Sequence, residues 1–109
     1  MRKSELFALI LSIVSDITEI SKEDIMSKSH KEDVVEARLL VIYFCRKEGL
    51  LPSRIAQLMG MSHRNVNRSL SAVNVLISNG GGILTINLNS IAKQLSCALE
   101  RYGNQCSNN

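Results

Sequence analysis

One segment dictates what this chain can fold into more than any other: Leu51 to Ile77, LPSRIAQLMGMSHRNVNRSLSAVNVLI. Two helices that cross closely need a small side chain at their contact, and Ala56 supplies it. Four residues on, Gly60 accepts the positive φ that a sharp turn demands. Six residues further, Val66 provides an apolar knob for the second helix. Pro52 suits a first helical turn, where a missing N–H costs nothing, and Ser62 is placed to cap the second helix. Together these signs predict a helix-turn-helix.

The second helix divides into two faces. Val66, Leu70, Val73 and Ile77 recur at helical spacing and are expected in the core. Arg64, Asn67, Arg68, Ser71 and Asn74 form the opposite stripe, which carries donors and amides and no carboxylate. Arg and Asn pair bidentately with guanine and adenine edges in the major groove. The plainer reading of the same segment is a surface helix pair in an all-α adaptor.

Charge placement supports the first reading. Net charge is only +3, but between Gly49 and Leu99 there is no Asp or Glu, while Arg54, Arg64, Arg68 and Lys93 lie there. The half with the helix-turn-helix therefore lacks the groups that would repel phosphate. Aromatic content of 4% argues against a base-stacking platform for single strands and leaves Leu, Ile and Val to build the core. At 109 residues one domain is expected, over residues 1–101, with 102–109 a polar, disordered tail.

Cys45, Cys97 and Cys106 show no metal-type pairing, and His30 and His63 are distant from them in sequence, so no metal site is expected. Reduced cytoplasm fits such thiols, with Cys45 buried. No paired carboxylates share a helical face with a His, and no Ser, His and Asp constellation can be assembled, so an enzyme is not expected, nor a cofactor or small-molecule substrate. The Gly80-Gly81-Gly82 run is no phosphate loop, since no Lys-Ser or Lys-Thr follows it. The apolar start, Leu6 to Val14, is interrupted by Ser12 and continues helically through Ile17 and Ile20, so it reads as a core helix and no membrane partner is expected.

Along the chain, the first helix is expected from about Ser4 to Glu19, apolar over a wide surface. A short helix capped at Ser21 carries Ile25 and Met26. The polar loop Ser27 to Lys31 follows: solvated in the ordinary case, or touching phosphate or minor groove through Lys28, His30 or Lys31. A central helix, apolar on most sides, is expected from Glu32 to Glu48, ending at Gly49. Arg38 interrupts it, either as a core-edge side chain whose head reaches water or as a contact to the DNA backbone. Leu84 to Leu88 alternates and suggests a short extended segment, followed by a last helix capped at Asn89, from about Ser90 to Arg101.

The arrangement resembles the C-terminal DNA-binding domain of the bacterial chromosomal replication initiators, the DnaA family. The similar stretches are Asp24 to Lys31, Val35-Glu36-Ala37-Arg38, and Leu51-Pro52 with Ile55, Gly60, His63 and Val66, with matching spacing over roughly residues 5 to 100. The resemblance implies an all-α fold, a small helical bundle of the Trp-repressor-like class whose helix-turn-helix enters the major groove of double-stranded DNA. It implies that the loop before the long helix reaches the minor groove, with His30 in place of the family's Arg, flanked by Lys28 and Lys31. Arg38 matches a family Arg near the DNA backbone, and His63 the signature His at the start of the recognition helix. Arg64 and Asn65 stand where the family has two hydroxyl residues, and the turn lacks the family's Gly-Arg-Asp run, so a different base preference is expected. The family's ATPase module is not among these residues, which implies an excised or stand-alone relative.

The expected function is sequence-specific binding of double-stranded DNA, in replication or transcription control, in a bacterial cytoplasm and associated with the nucleoid. Arg64, Asn67 and Arg68 are expected at base edges, with His63, Asn65 and Ser71 contributing. Ser62, Arg54, Lys28, Lys31 and Arg38 are expected at phosphates and His30 at the loop contact. The alternative is a protein-interaction adaptor that keeps the fold without DNA contact, suggested by the wide apolar surface of the first helix and the mild net charge. The resemblance leaves monomer and homodimer both open.

Overall fold

The computed structural model describes residues 2–80 and 82–107, with side chains through Arg101 apart from Ile83. Among the described residues there are six helices and no strand: α1 (Lys3–Thr18), α2 (Lys22–Met26), α3 (Glu32–Lys47), α4 (Pro52–Met59), α5 (His63–Ser78) and α6 (Gly82–Ser107). The all-α helix-turn-helix architecture expected from the sequence is thus what the chain adopts.

α3 is the centre of the bundle and packs against all five other helices. Its apolar residues do not fall on one stripe: Val34, Ala37, Leu39, Leu40, Val41, Ile42, Phe44 and Cys45 are all buried. A helix apolar nearly all round must be covered nearly all round. α1 and α6 lie together on it, and the buried side chains Phe7, Ile10, Ile13 and Val14 join Leu40, Phe44, Ile91 and Leu95 in one core. The wide apolar surface of α1 is therefore used inside the molecule. Burial pushes the Cys45 thiol up to about 12, which keeps it protonated and unreactive.

The end of the chain differs from the expectation. Gly82–Ser107 is one helix, so neither an extended segment at Leu84 to Leu88 nor an Asn89 cap exists. Leu84, Leu88, Ile91 and Leu95 recur at helical spacing, and all four pack on the core, whereas Ile86 is 64% exposed. The alternation of Leu84, Ile86 and Leu88 was a coincidence within that longer stripe. The backbone is helical past Arg101, through Ser107, and the last two residues of the expected tail lie outside the described residues.

Candidate nucleic-acid interface

The turn between α4 and α5 forms as its residues require. Pro52 opens α4, and Gly60 ends it in the left-handed region at φ 66°. The Met61 N–H donates to the Ala56 carbonyl at 2.9 Å, so the same residue that allows close helix contact anchors the turn. Ser62 then caps α5: its Oγ accepts from the Asn65 N–H at 3.1 Å. Ile55, Ala56, Met59 and Val66 are buried at the junction, which fixes the angle at which α5 leaves the body.

α5 rests on the core through Val66 and Val73, with Leu70 partly buried beside them. Ile77 was expected inward but is 36% exposed, and Val75 and Leu76 are exposed with it. The helical period is kept; it is the supporting core that stops short of the last turn of α5. On the outward side, His63, Arg64, Asn67, Arg68, Ser71, Ala72 and Val75 line one shallow, open depression. Five of these were expected there. Ala72 and Val75 were not, although both continue the three- and four-residue steps from Arg68 and Ser71. Asn74 turns aside, into a groove with Tyr43, Arg46, Lys47 and Leu70.

A second, more enclosed cleft of about 470 Å³ lies beside the start of α5. Lys28, His30 and Arg38 line it from one side, and Gly60, Met61, Ser62 and Asn65 from the other. The loop after α2 and the turn of the helix-turn-helix, distant in sequence, are thereby neighbours.

Arg38 holds that loop in place. Its Nε donates to the Ile25 carbonyl at 3.0 Å, and its Nη2 donates to the carbonyls of Ser27 and, at 3.2 Å, Ser29. The Ile25 carbonyl lies in the last turn of α2 and those of Ser27 and Ser29 in the loop after it, and one guanidinium fork reaches all three. Desolvation by partial burial lowers its pKa from the ordinary value. The side chain is thus a structural tie from α3 to the loop, a role that neither sequence reading of Arg38 contained. Ser27 and Ser29 add to it: Ser27 Oγ donates to the Asp24 carbonyl at 2.6 Å and accepts from the Ser29 N–H at 3.2 Å, and Ser29 Oγ accepts from the Lys31 N–H at 3.2 Å. Between these half-buried serines and beyond them, Lys28 and His30 are exposed.

Two expected contacts lie apart. Lys31 lines a cleft on another side, with Glu19, Asp24 and Asp33 for neighbours. Arg54 is exposed on α4, where its Nη1 donates to Gln57 Oε1 at 3.1 Å, and it lines neither cleft. Among the described residues no cluster of three or more His, Cys, Asp or Glu is gathered, and no helix is long and apolar enough to cross a membrane.

An all-α bundle presenting an acid-free, uncovered second helix after a tight glycine turn defines a helix-turn-helix domain. Residues 7–73 match the family described as the bacterial dnaA protein helix-turn-helix. Over 85 residues the chain is also 32% identical to the chromosomal replication initiator protein DnaA of Thermosipho africanus (strain TCF52B). That alignment takes in 77% of this chain and 19% of the relative, so the chain spans about a fifth of that protein's length. The chain belongs to the family of the DnaA helix-turn-helix, a DNA-binding domain.

Proposed function

We propose that the chain binds double-stranded DNA in a sequence-specific manner, with α5 in the major groove and the loop after α2 on the adjoining backbone or minor groove. The observation that carries this reading is the exposed face of α5. His63, Arg64, Asn67, Arg68 and Ser71 stand in solvent on one side of a helix whose other side is anchored in the core. Arg64 and Arg68 suit guanine O6 and N7, and Asn67 suits adenine N6 and N7. His63 and Ser71 add contacts at the two ends of this set. Ser62, Asn65, Lys28 and His30 surround the neighbouring cleft, where a phosphate or sugar of the same duplex would sit. Arg38 contributes by fixing the loop, and Arg54 and Lys31 act at longer range on phosphate. In a cell such a domain would serve a replication origin or a promoter, from the bacterial cytoplasm.

Of the two features behind the adaptor reading, the apolar surface of α1 is covered by α3 and α6, which leaves only the net charge of +3 in its support.

The test is selection of bound sequences from a random duplex pool, followed by titration of the selected site at several salt concentrations. A defined site, with affinity falling steeply as salt rises, is the expected result. Recovery of no common sequence, or binding to all duplexes alike, would refute sequence specificity. A palindromic site would mean that two copies bind together.

A further inference from the structure

Ala72 and Val75 are exposed apolar side chains in the same depression as Arg64, Asn67, Arg68 and Ser71, and Val75 is 58% exposed. Val75 makes no part of the core, and α5 carries no charge after Arg68. We infer that Ala72 and Val75 form a thymine-selecting end of the reading face, packing against C5-methyl groups in the major groove. The inference rests on α5 being the helix that enters that groove.

Three features point to this occupant. First, the depression is lined by cationic and amide groups at its start and by apolar ones at its end, and the chain has no carboxylate from Gly49 to Leu99. A strongly anionic partner is thus accepted along the whole face. Second, the thymine methyl is the one apolar group that base edges present in the major groove, and small apolar side chains are its usual partners. Third, the length is right. At about 1.5 Å per residue, Arg64 to Val75 covers about 16 Å of helix axis, several times the rise of about 3.4 Å per base pair. A helix lying along the groove would place its guanidinium groups and its apolar end over different base pairs of one site.

The experiment uses the selected duplex with each thymine replaced singly by deoxyuridine, which removes the methyl and leaves every hydrogen-bonding group in place. For the unaltered chain, one or two such replacements should weaken binding about fourfold, the equivalent of one buried methyl at about 0.8 kcal/mol. Val75→Ala should weaken binding to the thymine duplex by a similar factor and bind the thymine and deoxyuridine forms alike at the position Val75 contacts. Since Val75 is exposed and Ala is the better helix former, folding should be unaffected, which circular dichroism checks. If binding is specific but indifferent to every methyl, or if Val75→Ala keeps the full methyl sensitivity, the inference is overturned and the proposed function stands. If Val75→Ala changes self-association in sedimentation and leaves duplex binding untouched, the apolar end is a protein contact and the inference is overturned. Failure to select any sequence overturns the proposed function and this inference with it.

Discussion

Both α3 and α5 run sixteen residues, yet α3 buries eight side chains and α5 only two. The difference follows from where apolar residues fall. In α3 they crowd most of the circumference between Val34 and Cys45, so the helix is covered by neighbours on most sides. In α5 only Val66, Leu70 and Val73 reach the core, and the outward surface is left to Arg64, Asn67, Arg68 and Ser71, with the exposed Ala72 and Val75 beyond them. One helix holds the molecule together, and the other is held by it. Arg38 is the exception that connects them, a charged residue of α3 reaching out to position the loop beside the start of α5.

Substitutions should act on the two helices in opposite ways. The largest effect is expected at Phe44, which is 1% exposed: Phe44→Ala should lower stability by about 3–5 kcal/mol, read by denaturant unfolding. A loss below about 1 kcal/mol would mean that α3 is not the centre of the core. Arg68→Ala should do the reverse, weakening DNA binding by about 1–3 kcal/mol while stability changes by less than roughly 0.5 kcal/mol. Equal affinity in a titration would remove Arg68 from the reading face. Arg38→Met should register on both scales. Leaving three carbonyls without their donor should cost about 1–3 kcal/mol of stability. Loss of the loop's path should weaken binding as well, and Arg38→Lys should not restore it, because a single ammonium lacks the planar fork. The smallest effect is expected from Ser62→Ala, about 1 kcal/mol of stability through the lost cap, visible as a lower melting temperature.

What the sequence disclosed was what is decided locally. The turn was legible because Ala56, Gly60, Ser62 and Pro52 each act within a few residues of themselves. The outward placement of Arg64, Asn67 and Arg68 was legible because helical period decides it once the buried side is known. Three matters were not local. The tie of Arg38 to carbonyls nine to thirteen residues earlier has no signature, since every residue has a carbonyl. Period alone assigned Ile77 to the core, but how far the core extends depends on neighbours brought from elsewhere. Lys28 and Lys31 looked equivalent, yet the folded loop turns one towards the helix-turn-helix and the other towards Glu19, Asp24 and Asp33. The helical stripe Leu84, Leu88, Ile91 and Leu95 was present in the sequence all along, and the shorter alternation within it concealed it.

The grip of Arg38 on backbone oxygens has a further consequence. Carbonyls survive any exchange of side chain, and the two serines that reinforce the loop alternate with the exposed Lys28 and His30. The path of the loop is therefore independent of what is displayed at positions 28 and 30. Those two sites are free to drift through evolution, trying new chemistry against a ligand, without the scaffold having to be rebuilt each time.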